Sequence, residues 1–178
     1  VRALIAAKEA ERPLVTVCSA CHNVIKQTNY QITNDETFRN RANLYLAQDK
    51  EKREPYSGET KVMHYFELLR DVVGFDKIKE KVVNPLTGRK IAAYYGCLLL
   101  RPGKVMAFDD PAIMEEFIWA IGAEPVIYPY RNECCGGYVA LEDPDSAKKK
   151  SNAVTNSAES HGAELAVTAC PLCKYNLV

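Results

Sequence analysis

The sequence has no excess of charge of either sign, because 23 Lys and Arg residues balance 23 Asp and Glu residues. A protein that grips a phosphate backbone is normally basic, so nucleic-acid binding through a basic surface is not indicated. No apolar run approaches roughly 18 residues, so we expect no membrane span. The first residues lack the charged start, apolar run and cleavage site of a secretory signal, and we expect none.

What the sequence does contain is an ordinary composition with one exception. With 178 residues, of which 47% are hydrophobic and 26% charged, the chain can bury a sizeable core. The exception is its 7 cysteines, an odd number grouped in short clusters. This pattern fits a secreted disulfide framework poorly and favours a metal or redox site in the cytoplasm.

Two segments of the chain resemble each other. Residues 14–23 read LVTVCSACHN, and residues 166–175 read AVTACPLCKY. Each is a short β-branched run that ends in a CxxC motif and continues into a helix-compatible segment. Two copies of one supersecondary unit indicate a duplicated architecture.

The C-terminal part of the chain alternates between strand and helix signals. We predict strands over residues 91–95, 125–130 and 164–168, each a short apolar run. Helices are predicted to begin at Asp110-Pro111 and at Asp143-Pro144, where a capping residue precedes a proline. This β-α-β-α-β order is typical of an α/β fold whose parallel sheet has right-handed crossovers.

The N-terminal part has weaker signals. Asp35 can cap a helix that runs to about residue 48. Residues 49–60 are charged and contain a proline and a glycine, which is typical of a linker. Residues 61–82 carry an apolar stripe at helical spacing, so we predict a helix there that Gly74 can interrupt.

The cysteines of the C-terminal part follow the predicted strands. Cys97 follows the first strand, Cys134 and Cys135 the second, and Cys170 and Cys173 the third. Because ligands bind at the carboxyl edge of open parallel sheets, we expect these side chains to converge there.

Thiols at this density suit zinc or an iron–sulfur cluster. A structural zinc ion takes four ligands, whereas several iron ions can share five, so the count favours a cluster. Gly136 and Gly137 allow the turn that two adjacent cysteines need to face one site. A thioredoxin-like CxxC is another interpretation of Cys170 and Cys173, but it leaves the other three cysteines unexplained.

The spacing Cys97–x36–Cys134-Cys135-Gly136–x33–Cys170-x-x-Cys173 resembles the cysteine-rich CCG domain. Residues 94–102, YYGCLLLRP, are similar to the B subunit of heterodisulfide reductase in particular. The resemblance implies two such domains, each with a noncubane [4Fe-4S] cluster, that reductively cleave the disulfide between coenzyme M and coenzyme B. It implies as partners the ferredoxin-like subunit and the flavoprotein subunit of the same reductase complex.

Carried over by motif position, the resemblance assigns the second cluster five ligands: Cys97, Cys134, Cys135, Cys170 and Cys173. Cys18 and Cys21 would be the last two ligands of a first cluster. Residues 1–55 would then be the remnant of a first CCG domain with a helix and linker, and residues 56–178 a second one with a shortened C-terminus. Because only 17 residues precede Cys18, we expect a fragment that is inactive by itself in two-cluster chemistry.

Alternative functions stay open. One is an electron-transfer subunit like the CCG-containing subunits of lactate-, glycolate- or succinate-oxidising systems. Another is a structural zinc module, or an empty site if the cluster fails to assemble. The physiological disulfide and the direction of electron flow are open as well. Of the other residues, His22 is predicted to lie on a helix surface rather than to bind metal, and Tyr138 to pack in the core, line a cavity or shield a cluster.

Overall fold

The computed structural model describes residues 1–49, 53–108 and 112–178. The strands are β1 (Leu14–Thr16), β2 (Val62–His64), β3 (Lys90–Tyr94), β4 (Glu124–Val126) and β5 (Leu165–Thr168). The α-helices are α1 (Arg2–Glu9), α2 (Ser19–Asn34), α3 (Glu36–Leu46), α4 (Tyr65–Leu68), α5 (Phe75–Lys81), α6 (Gly103–Met106), α7 (Ile113–Ala120), α8 (Pro144–Ser160) and α9 (Pro171–Leu177). No helix in these ranges is both long and apolar enough to cross a bilayer.

The C-terminal strands form a parallel sheet in the order β4-β3-β5. Ile91 in the central strand pairs with Pro125 on one side and Leu165 on the other. The predicted α/β class and the parallel arrangement are therefore confirmed. The prediction of a strand over residues 125–130 is wrong at its end, because a 3-10 turn, Pro129–Asn132, begins where proline has no N–H for a ladder.

The prediction of one helix over residues 61–82 is also wrong. Its first residues form β2, which pairs in parallel with β1. The segment then passes through α4 and a π-helical turn, Leu69–Val73, before Gly74 at φ +86° separates it from α5. The apolar spacing fits a helix, but three residues of strand pairing decide the conformation of the first turn.

Helix starts agree with the predicted caps where the structure describes them. The carboxylate of Asp35 accepts a hydrogen bond from the N–H of Phe38 at 3.0 Å, at the start of α3. Asp143 does the same for the N–H of Ser146 at 3.0 Å. The predicted start at Asp110-Pro111 lies outside the described residues, and α7 is described from residue 113.

Residues 53–60 are not a free linker. Tyr56 is fully buried with Leu4, Ile5 and Ile32. The side chain of Asn43 bonds its backbone through the N–H at 2.9 Å and the carbonyl at 3.1 Å. Residues 50–52 of the predicted linker lie outside the described ranges. The division at residue 55 stays a prediction, and the pairing of β1 with β2 runs across it.

The central strand β3 separates two packed layers. Ile91, Ala93 and Tyr95 contact the α7 side of the sheet. Ala92 and Tyr94 face the other side, with α8 and three of the cysteines. The alternation of buried residues along one strand therefore gives the cysteines a packed layer of their own.

Candidate metal centre

The segments that follow the C-terminal strands surround one cavity of about 200 Å³. The cysteines in its wall are Cys97, Cys134, Cys135, Cys170 and Cys173. The remaining wall residues are Ser19, Tyr95, Leu98, Gly137, Tyr138 and Leu172. The expected convergence of distant cysteines at the carboxyl edge of the sheet is thus present in the structure.

The thiols contact one another in pairs. The Sγ atoms of Cys135 and Cys173 lie 3.4 Å apart. The Cys97 thiol is hydrogen-bonded to that of Cys134, and the Cys170 thiol to that of Cys173. All seven cysteines are free thiols. These contacts bring together segments that are dozens of residues apart in the chain.

Two glycines make room for the adjacent cysteines. Gly136 has φ +81°, a conformation that side chains rarely adopt, and this turn lets both neighbours face the cavity. At Gly137 an added Cβ would lie 2.8 Å from the Cγ of Leu172 and 3.4 Å from the Sγ of Cys135. The wall is therefore formed by close backbone approach, and a side chain here would intrude on the sulfur-lined space.

Hydrogen bonds between thiols set their ionisation. A hydrogen bond with Cys173 is the main cause that lowers the pKa of Cys170 to about 5, and backbone N–H groups add to it. A bond with Cys173 likewise lowers the pKa of Cys135 to about 6. The pKa of Cys173 is raised because it shares its proton with these two. Burial, and next the neighbouring Cys134, raises the pKa of Cys97 to about 11.

Cys18 and Cys21 do not line the cavity. Cys18 occupies the N-cap of α2 with φ −126° and ψ 121°, as Cys170 occupies that of α9 with φ −139° and ψ 117°. The two CxxC units therefore share one local geometry, in agreement with their sequence repeat. Cys18 packs against the cavity cysteines, whereas Cys21 is exposed.

Helix α2 closes one side of the cysteine site, which the sequence does not reveal. The N–H and Oγ of Ser19 donate to the carbonyl of Ala169 at 2.8 and 3.0 Å. The Nδ2 of Asn23 donates to the carbonyls of Leu98 and Arg101 at 2.7 and 2.6 Å. A polar residue that anchors a loop 75 positions away has no local signature.

The prediction that His22 lies on a surface is wrong. Its side chain is fully buried, and its Nδ1 lies 2.9 Å from the Oγ1 of Thr16. Its ring meets that of His64 edge-on at 5.3 Å. The strand pairing of β1 with β2 brings these residues together, because Thr16 and His64 are register partners.

The donor set fits soft metal ions. Among the residues that the structure describes, the cavity wall has no Asp, Glu, Lys or Arg. In the same ranges no three His, Cys, Asp or Glu side chains are spaced to hold one metal ion as they stand. Five thiols around a space of about 200 Å³ instead match a group that contains several thiophilic ions.

The comparison with protein families adds to this geometry. Residues 91–178 match the cysteine-rich domain family named CCG. They include all five cysteines of the cavity wall. Residues 91–178 belong to the CCG family. The CCG domain therefore contains the complete cavity cysteine set, while Ser19 and Asn23 approach it from outside the matched segment.

The similarity to known proteins covers nearly the whole chain. Over 99% of its length it is 31% identical to the 8-methylmenaquinol:fumarate reductase membrane anchor subunit of Wolinella succinogenes, of which it covers 61%. Over 97% of its length it is 29% identical to the B subunit of the ferredoxin:CoB-CoM heterodisulfide reductase of Methanosarcina mazei, of which it covers 58%. A protein of Archaeoglobus profundus that is named for its likeness to the heterodisulfide reductase B subunit is 29% identical over 99% of the chain and is covered to 60%. The chain thus spans less than two thirds of these relatives.

Proposed function

We propose that the cavity of the CCG domain holds an iron–sulfur cluster and that the chain is part of an iron–sulfur oxidoreductase subunit. The observation that carries this is the set of thiols from separated segments around one cavity: Cys97, Cys134, Cys135, Cys170 and Cys173. The resemblance to the B subunit of heterodisulfide reductase supports the noncubane [4Fe-4S] type. Such a cluster, when bound, supplies one-electron transfer.

The chain's own residues would hold this group and shield it from water. Cys135, Cys170 and Cys173 are buried, so their sulfurs contact protein rather than solvent. Backbone N–H groups point at the Cys170 sulfur, which favours the thiolate that a metal requires. Tyr94 donates from its Oη to the carbonyl of Glu133 at 2.6 Å and thereby holds the loop before the cysteine pair.

We infer that the reaction is the reductive cleavage of a disulfide of the coenzyme M–coenzyme B type. The relative from Methanosarcina mazei carries this disulfide in its name. Leu172 and Tyr138 line the cavity and are 41% and 74% exposed, so a small molecule can approach from their side. The proposed partners are the ferredoxin-like subunit and the flavoprotein subunit of a reductase complex, and the proposed location is the cytoplasm.

A second candidate is an electron-transfer subunit without substrate chemistry. The neutral wall of the cavity favours it, because an anionic disulfide would be held best by Lys or Arg, and within the described residues the wall has neither. The relative from Wolinella succinogenes is a subunit of a fumarate reductase. On this proposal the cluster would pass electrons between partner subunits.

The test is the content of iron, acid-labile sulfide and zinc after strictly anaerobic purification. We expect about four iron and four sulfide per chain, as in a [4Fe-4S] protein. Cys97→Ser should lose most of both, since Cys97 lines the cavity. Cys21→Ser is the matched control and should lose neither, because Cys21 is exposed and outside the wall.

One zinc without sulfide would overturn the cluster and make this a structural zinc module. If the cluster is present, anaerobic titration of the reduced protein with candidate disulfides separates the two functions. Reoxidation by a disulfide supports cleavage. Reoxidation only by a protein or quinone acceptor supports the electron-transfer subunit.

A further inference from the structure

A buried carboxylate lies behind the cysteine site without touching the cavity. Glu115 on α7 is only 5% exposed. Its Oε2 accepts a hydrogen bond from the Oη of Tyr95 at 2.5 Å. Its Oε1 accepts from the guanidinium of Arg131, and the two side chains form an ion pair. The Tyr95 hydroxyl also accepts from the N–H of Met114 at 3.0 Å.

The two partners of Glu115 belong to the two loops that carry Cys97 and Cys134. Tyr95 is two residues before Cys97, and Arg131 is three residues before Cys134. The backbones of these loops are joined as well, because the N–H groups of Tyr95 and Gly96 donate to the carbonyl of Arg131 at 3.0 and 3.1 Å. The Arg131 guanidinium also lies 5.7 Å from the centre of the Tyr95 ring.

We propose that Glu115 is a positioning residue that holds the Cys97 loop and the Cys134 loop in register, so that their thiols meet at one side of the site. This inference rests on the proposed function for its purpose. A buried carboxylate is costly unless it is paired and hydrogen-bonded, and Glu115 uses its acceptors on one donor from each loop. Residues behind metal ligands commonly set the orientation of those ligands.

The geometry distinguishes this pair of thiols from the others. Cys97 and Cys134 are hydrogen-bonded to each other, and each follows a residue held by Glu115. Cys170 and Cys173 are also hydrogen-bonded to each other, but they follow β5, whereas the bonds of Glu115 go to the other two loops. Loss of Glu115 should therefore disturb the first pair and spare the second.

The test uses the reduced, metal-free chain and dibromobimane, which bridges two thiols that lie close together. Proteolysis and mass spectrometry give the ratio of the Cys97–Cys134 bridge to the Cys170–Cys173 bridge. We expect Glu115→Gln to lower this ratio several-fold, because a neutral amide cannot accept from both donors. Tyr95→Phe, which removes one hydroxyl and keeps the ring, should lower it in the same direction.

Tyr128→Phe is the matched control. Tyr128 is as buried as Tyr95, and its hydroxyl has no hydrogen-bond partner among the described residues, so the ratio should not change. A variant that merely unfolds would lose both bridges rather than shift their ratio. An unchanged ratio in folded Glu115→Gln and Tyr95→Phe would overturn the inference.

A second readout separates this inference from the proposed function. With the cluster bound, we expect iron to be released to a chelator about tenfold faster from Glu115→Gln than from wild type, the usual effect of removing a residue behind a metal ligand. Wild type without iron would refute the proposed function, and the bridge ratio would still decide the role of Glu115.

Discussion

Two buried histidines give the molecule a dependence on pH that is independent of any bound metal. His64 is 1% exposed and N-caps α4, where its Nδ1 accepts from the N–H of Phe66 at 3.3 Å. Burial, with the charge of Lys26 adding and the carbonyl of Ala169 opposing, lowers the pKa of His64 to about 4. Burial, and next the proximity of His64, lowers the pKa of His22 to about 3. Both rings are thus neutral in the folded protein at neutral pH.

This arrangement predicts a loss of stability in acid. A histidine of ordinary pKa, about 6.5, binds a proton in the unfolded chain before His64 does in the folded one. The contribution of His64 is therefore complete above pH 6.5 and is lost as the pH falls toward 4, by about 3 kcal/mol in total. Asparagine at position 64 can still cap α4 but cannot titrate.

We therefore expect the free energy of unfolding of His64→Asn to fall less between pH 7.5 and pH 5 than that of wild type, measured by urea denaturation. His161→Asn is the control, because His161 is exposed at the end of α8. Equal slopes for wild type and His64→Asn would show that His64 does not titrate with a lowered pKa.

At the level of whole elements, α2 connects the N-terminal unit to the CCG domain. Asn23 is 4% exposed, and its amide satisfies two carbonyls of the loop that begins at Cys97. Aspartate has the same shape but cannot donate, so Asn23→Asp would leave both carbonyls unpaired beside a buried charge. An unsatisfied buried group costs about 1–3 kcal/mol.

We accordingly expect Asn23→Asp to lower the free energy of unfolding by roughly 2 to 4 kcal/mol, for two lost bonds. Asn34→Asp is the control in the same helix, because the Asn34 amide bonds only locally, to the carbonyl of Tyr30 at 2.7 Å. Urea denaturation of both variants measures the difference. Similar losses in the two would show that the bonds of Asn23 to the Cys97 loop add no stability.

The same elements show how far the sequence could be interpreted. The caps at Asp35 and Asp143 and the strands β3 and β5 are predictable because their signals lie within a few neighbouring residues. The convergence of the cysteines follows from the rule that parallel strands end at one edge. By contrast, β2 is three residues long and shows no alternation, so only its pairing with β1 reveals it.

The supporting residues of the site escape prediction for a related reason. Asn23 bonds a loop 75 residues away, and the side chain of Arg131 bonds Glu115 across 16 residues. Neither forms a motif, because what each satisfies is a backbone or side-chain group brought near only by the finished fold. His22 is misjudged in the same way, since its neighbour in sequence, Cys21, is exposed while it is buried.

Taken as a whole, the chain has contacts that make the two CxxC units one packed body. Ser19 is 1% exposed and bonds Ala169, so the start of α2 is covered by the end of β5. Cys18 and Ala20 pack against the layer that contains the cavity cysteines. Removal of the N-terminal unit would therefore uncover both the apolar surface and the backbone carbonyls of the CCG domain.

These contacts predict a single cooperative unfolding transition. The one tryptophan, Trp119 on α7, reports on the CCG domain. Hydrogen exchange in peptides that contain β1 reports on the N-terminal unit. Because the bonds of Ser19 and Asn23 cross between them, we expect both signals to change at the same urea concentration, the test of two-state behaviour. If β1 exchanges freely while Trp119 is still folded, the two units are separate domains, and the predicted boundary near residue 55 becomes the better description.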